Sequence, residues 1–287
     1  MSSSFRPLQV RSRTQAPAAQ LGTPGTKGSR LCPLTSHPIR SHLFYGFTAV
    51  PRDPDVLFKD HPTAGGANPK QDLFTAADFP APESPVVDAV EAFIKKELDQ
   101  NTYNHSRRVY IYGSALVRTH FPTWSYDPAT YYITCLLHDI GTAERFLSTT
   151  KLSFEFAGAI VARDHLLAHG APADQADSVA DAIIRHQDIF VKGGNITTIG
   201  QVLQLATILD NVGLRASLIH PQLIESTTSA FPRNGWSEHF AHTIETELAL
   251  KPWCHTSTFE VPGWKQGIPS NFARDVRSNQ VMQPYDA

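Results

Sequence analysis

The chain has 287 residues and a mass of 31.7 kDa, with 41% hydrophobic and 18% charged residues, which excludes disorder throughout and provides for a sizeable core. Lys and Arg number 25 against 27 Asp and Glu, a formal charge of -2, so no global field draws the chain to nucleic acid or to an anionic membrane. No apolar run reaches the roughly 18 residues of a membrane span, and the isolated cysteines Cys32, Cys135 and Cys254 suit a reducing compartment without forming a zinc motif.

Residues 1–43 carry Arg6, Arg11, Arg13, Lys27, Arg30 and Arg40 and no acidic residue, among many Ser, Thr, Pro and Gly. This composition predicts a disordered basic tail. A mitochondrial presequence shares it, but Pro7, Pro17 and Pro24 interrupt the amphipathic helix that such a leader forms, so a cytoplasmic protein is the first expectation and mitochondrial import the second. Residues 44–83 hold Pro51, Pro54, Pro62, Pro69, Pro80 and Pro82 and predict an extended lead-in. At Ser84-Pro85 a helix cap is followed by a first-turn proline, and Val87, Val90, Phe93, Ile94 and Leu98 recur at helical spacing. A second helix is expected from Tyr103 to His120. A third, from Pro128 to Asp139, is apolar nearly all round and reads as central. Further helices are expected at 153–169, 172–187, 198–212, 220–230 and 235–250, with no convincing alternating strand and no repeat. Residues 84–256 therefore predict one all-α domain, and 257–287, with Pro262, Gly263, Gly267 and Pro269, an irregular tail.

Chemistry concentrates where polar residues interrupt apolar stripes. His138-Asp139 follows Cys135-Leu136-Leu137 at a helix end, where Gly141 is a natural terminator. His105 lies on the face of Val109 and Tyr112, and Asp210 ends the stripe Ile199, Val202, Leu203, Ala206 and Leu209. A buried, unpaired carboxylate is costly, and a cation offsets that cost. Two imidazoles and two carboxylates form a donor set suited to zinc, iron or manganese with room for water.

The pattern His105, His138-Asp139, Asp210 fits the H…HD…D signature of the HD-domain metalloenzyme superfamily. Five longer words narrow it: Asn104-His105-Ser106-Arg107-Arg108, Thr134-Cys135-Leu136-Leu137-His138-Asp139-Ile140, Lys151-Leu152-Ser153-Phe154-Glu155-Phe156, Ile184-Arg185-His186-Gln187-Asp188 and Leu209-Asp210-Asn211-Val212-Gly213. These closely resemble the fungal cyanamide hydratases, over most of residues 44–256. The chain departs from them in its basic extension, an inserted stretch around 54–83 and a longer C-terminal tail. The resemblance implies an HD-type helical bundle with one zinc ion per chain on His105, His138, Asp139 and Asp210. It also implies hydration of cyanamide to urea, by attack of metal-activated hydroxide on the nitrile carbon.

His186, at a helix end after Val179, Ala180, Ile183 and Ile184, is the expected proton carrier; the residues alone also allow an exposed terminus that favours the helix dipole. Thr207, one turn before Asp210, is expected to orient the substrate, or else to bond back to its own helix. Lys151 and Glu155 read as surface charges or part of a lid, His255 as a family-like position, and the other histidines as incidental. The expected partner is a small nitrile-type substrate, with no nucleic acid or membrane, in a fold compatible with homo-oligomers. A second reading is an HD-type phosphohydrolase of nucleotides, using Arg107, Arg108, Lys151 and Arg185 as phosphate cations. A third is a binding module docked through its basic tail.

Overall fold

The computed structural model describes residues 41–59, 73–191, 193–259 and 271–287, so the expected disordered tail and the presequence reading lie, up to residue 40, outside the described residues. A short helix, α1 (Ser41–Phe44), occupies the last three residues of the tail expected to be disordered, and in the stretch expected as an extended lead-in a short strand, β1 (Ala49–Pro51), precedes α2 (Pro54–Lys59). Proline excludes a long helix but is at home in the first position of a short one, and Pro54 stands there.

Side-chain caps explain where the long helices begin. Ser84 accepts from the Val87 amide and opens α3 (Pro85–Glu97); Asp99 accepts from the Asn101 and Thr102 amides and opens α4 (Gln100–His120). Asp127 does the same through Ala129 and Thr130 for α5 (Pro128–Leu137). The chain continues through α6 (Glu144–Leu147), α7 (Phe154–Ala168), α8 (Ala173–Arg185) and the strand β2 (Asn195–Thr197). It then forms α9 (Thr198–Val212), α10 (Pro221–Ala230), α11 (Trp236–Leu250) and α12 (Phe272–Arg277). All eight helices read from the sequence are present, and the all-α class is borne out. β1 and β2 pair antiparallel with Val50 opposite Ile196, forming the one sheet among the described residues. The tail read as irregular contains α12.

Packing centres on α9. Every residue from Thr198 to Asn211 is buried, including Gln201, Gln204, Thr207 and Asp210. Burying its Ile199, Val202, Leu203 and Leu209 favours folding by about 1.5–3 kcal/mol each. Against it lies α4, and α4 meets α5 closely at Gly113, where a Cβ would fall 1.8 Å from the Tyr131 hydroxyl. The Tyr131 hydroxyl donates to the Val109 carbonyl at 3.2 Å. A second apolar cluster joins Ile208 of α9, Trp236 and Phe240 of α11, Phe259, and Phe272 of α12, with Phe259 and Phe272 stacked at 4.2 Å. No described helix is long and apolar enough to cross a membrane.

Candidate metal centre

α5 ends at Leu137, and His138 caps it while still in helical conformation. Asp139 then leaves the helix, which turns two adjacent side chains onto one point: Asp139 Oδ2 lies 3.1 Å from His138 Nε2. Gly141, expected as a helix terminator, has a second use. It sits in a 3-10 turn, and a Cβ there would fall 1.9 Å from the Phe154 carbonyl oxygen, so its smallness lets α7 approach. From α4, His105 brings Nε2 to 3.2 Å from His138 Nε2 and 3.6 Å from Asp139 Oδ2.

The hydrogen bonds fix which nitrogens carry protons. Nδ1 of His138 faces the Cys135 carbonyl at 2.7 Å and Nδ1 of His186 faces the Ile183 carbonyl at 2.7 Å; a carbonyl only accepts, so each Nδ1 donates. Nδ1 of His105 donates to Asp210 Oδ2 at 2.6 Å. In their neutral forms the two rings therefore turn Nε2 lone pairs toward a carboxylate oxygen, and a proton on His138 Nε2 is what a metal ion would displace. Asp139 Oδ1 is buried without a hydrogen-bond partner. Tetrahedral zinc with bonds of about 2.0–2.1 Å separates its ligands by about 3.3 Å, and the three separations here are 3.1, 3.2 and 3.6 Å. His105, His138 and Asp139 thus fit a transition-metal dication.

Asp210 does not join them. It approaches the opposite nitrogen of His105, and its oxygens are held by Arg108 (Nε 3.0 Å, Nη2 2.9 Å) and Arg233 (Nη1 2.8 Å). The cation that offsets this buried carboxylate is a pair of arginines. Its place is behind His105, on the nitrogen opposite the cluster, where a carboxylate fixes the tautomer and orientation of the ring. Burial opposes ionisation of Asp210, but the two guanidiniums and His105 outweigh it and hold its pKa far below the usual range. Asp139 is likewise held low, its own burial outweighed by His138 and then His105. Burial lowers His105 and His186 to about 4, so both are neutral near pH 7. His138 is raised, because Asp139 outweighs its burial.

His186 caps α8 and is buried, not exposed, with Nε2 3.8 Å from Asp139 Oδ1. It lines a tight cavity of about 10 Å³ together with His138, Asp139, Gln187, Thr207 and Asn211, closed by Ile208, Phe240, Phe259 and Phe272. Thr207 donates its hydroxyl proton to the Leu203 carbonyl (2.9 Å), the back-bonded geometry weighed from the sequence, and also lines the cavity. Ile208 also lines an open groove of about 520 Å³ with Ile189, Phe190, Leu205 and Leu214. Among residues not singled out from the sequence, Trp236 stacks on His105 at 4.3 Å and donates to Asn211 Oδ1 at 2.8 Å. Glu155 pairs with Nδ1 of His255 at 2.7 Å and not with Lys151, which is exposed.

Three of the four phosphate cations of the second reading are committed elsewhere. Arg108 is buried on Asp210, Arg107 lies over the rings of Phe231 and Tyr132, and Arg185 donates to the Asn195 carbonyl.

Comparison with known proteins adds two findings. A family model described as HD domain matches residues 102–212. Two proteins of Saccharomyces cerevisiae, cyanamide hydratase DDI2 and cyanamide hydratase DDI3, are each 42% identical to the chain over 215 residues, which span 75% of this chain and 91% of each relative.

Proposed function

The chain belongs to the cyanamide hydratase family, and on that premise we propose that it hydrates cyanamide to urea, with one zinc ion on His105, His138 and Asp139. The observation that carries this reading is the convergence of two imidazole lone pairs and a carboxylate oxygen beside the cavity of His186 and Thr207. A zinc ion supplies Lewis acidity and brings the pKa of a bound water to about 7. Asp210 holds His105 in the tautomer that leaves Nε2 free, and Arg108 and Arg233 keep Asp210 ionised to do so.

Hydration places a hydroxyl on the nitrile carbon and a proton on the nitrile nitrogen. His186 presents a free Nε2 toward the cavity, because its Nδ1 proton is fixed on Ile183. It takes the proton that leaves water and returns it to the nitrogen; a ring whose neutral form is favoured gives the proton back readily. Thr207, its own proton on Leu203, accepts from the amino group of the substrate. The cavity, about 10 Å³ and near the minimum for one water, has to widen even for a molecule as small as cyanamide and is far from the size a nucleotide needs. Cys135 and Cys254 are free thiols, in keeping with a cytoplasmic location.

The test is urea release from cyanamide by the purified full chain, with metal analysis and with and without a chelator. Zinc-dependent release that is lost in His138→Ala is expected. Zinc-loaded protein that makes no urea, or phosphate release from a nucleotide panel in its place, overturns the reading. Iron or manganese in the active protein changes the ion and leaves the donor set.

A further inference from the structure

Resting on that metal-centre reading, we propose that the C-terminal segment 271–287 is a positioning element of the centre, with Asp286 as the residue that transmits it. Asp286 Oδ1 accepts from Arg233 Nε at 2.8 Å. Arg233, fully buried, donates through Nη1 to Asp210 Oδ1 at 2.8 Å and to the Asp210 carbonyl at 3.0 Å. Asp210 Oδ2 in turn takes the Nδ1 proton of His105 at 2.6 Å. Three charged contacts thus run from the penultimate residue to a candidate ligand.

A second arm runs beside the first. The Asp286 carbonyl accepts from the Gly235 amide at 2.7 Å, and its carboxylate accepts from the Ser237 amide at 3.3 Å. Trp236 lies between those two amides and stacks nearly parallel on His105, 14° from coplanar. The tail also reaches Asp210 directly, through the Asn279 side-chain amide, which donates to the Asp210 carbonyl at 3.1 Å. The turn that ends α9 is shaped to receive it. Gly213 has φ of +70°, and a Cβ there would lie 2.5 Å from Asn279 Oδ1. With Phe272 in the cavity wall, the tail bears on ligand, cavity and helix end together.

The physical role of Asp286 is to give a buried guanidinium its second anion. Without it, Arg233 keeps Asp210 as its one anion, beside the neutral Ser237 Oγ at 3.1 Å, and its Nε relaxes toward another acceptor or water, so the carboxylate that orients His105 is held by a less fixed donor. Outer partners of metal-binding histidines commonly govern affinity by about 10- to 100-fold. Asp286 acts one residue further out, so the low end is expected.

The experiment measures zinc affinity of the full chain by competition with a chromophoric chelator, alongside the melting temperature. Asp286→Ala is expected to weaken zinc binding about tenfold, with Asp286→Asn between it and the natural protein. The control is Arg277→Ala. Arg277 ties the same tail to Glu238 and Glu245 on the surface (2.7 and 2.5 Å) without reaching the centre. It is expected to lower the melting temperature and leave zinc affinity unchanged. The inference is overturned by folded Asp286 variants within about twofold of the natural zinc affinity, or by an equal loss in Arg277→Ala. Failure of both Asp286 variants to fold also overturns it, since the tail then belongs to the fold and not to the centre. A natural chain that takes up no zinc overturns the metal-centre reading itself, and this inference with it.

Discussion

Each imidazole at the candidate centre has one nitrogen committed to a fixed acceptor, Cys135 for His138, Ile183 for His186 and Asp210 for His105, so in its neutral form each offers a single lone pair in a set direction. Replacing His186 by Ala should therefore remove proton transfer and leave the metal ligands in place. The expected result is a fall in kcat of about 10²–10⁴-fold with zinc content unchanged, read by urea assay and metal analysis. Thr207→Val keeps the shape of the wall and deletes one acceptor, so KM should rise about tenfold with a smaller change in kcat, the loss of one hydrogen bond near 1.4 kcal/mol. Equal falls in kcat and kcat/KM would instead place Thr207 in the transition state. Ile208 borders both the inner cavity and the larger groove, so Ile208→Ala should join them and raise the kcat/KM for N-alkyl cyanamides relative to cyanamide, read by release of the alkylurea. At this scale the sequence exposed His105, His138 and Asp139 because polar side chains broke apolar stripes. It exposed Asp210 for the same reason and misread the partner. Arg233 stands in Phe231-Pro232-Arg233-Asn234-Gly235, which has the residues of a surface turn, so nothing local marks it as a buried cation.

Helices were legible where caps and periodicity agree. Ser84 marks a start that the structure reproduces, the start expected at Pro128 is found there with Asp127 as its cap, and the αL conformation of Gly213 ends α9 where its apolar stripe ends. Three-residue strands are too short to show alternation, which is why β1 and β2 were invisible, and α12 was lost in a stretch punctuated by Pro262, Gly263, Gly267 and Pro269. On α9 the polar positions are buried too: Thr207 and Asn211 line the inner cavity, and Asp210 is held by His105, Arg108 and Arg233. One cap links element and acidity. Asp99 caps α4 and faces His239 of α11 at 3.2 Å. Burial opposes its charge, but the bonds from His239 and the Thr102 amide prevail and lower its pKa, while the same pair raises His239. A depressed carboxylate stabilises the fold above its unfolded pKa near 3.9 and loses that contribution as pH falls; the raised histidine contributes below about 6.5 and loses it as pH rises. Asp99→Ala should thus cost about 1 kcal/mol near pH 5–6 and less near pH 3, by denaturant unfolding at each pH.

Over the whole molecule, the candidate ligands tie α4 to the end of α5, and Asp210 ties the same point to α9. An ion that binds only this assembled state stabilises it by mass action, about 2.7 kcal/mol at a hundred times its Kd. For a chain of this size the melting temperature should rise by about 5–10 °C on adding zinc and fall again with a chelator. In His138→Ala the rise should vanish. Its pH dependence follows from the ion's competitor, which is a proton. In the metal-free chain the Asp139 carboxylate is countered by a raised His138, so that pair stabilises the fold fully below the unfolded histidine value near 6.5 and loses the effect as pH rises through the folded value. Zinc requires His138 unprotonated and gains affinity over the same range. The zinc-induced increment in melting temperature should therefore grow from pH 6 to pH 8. A constant increment would mean that the stabilising ion binds somewhere other than His138.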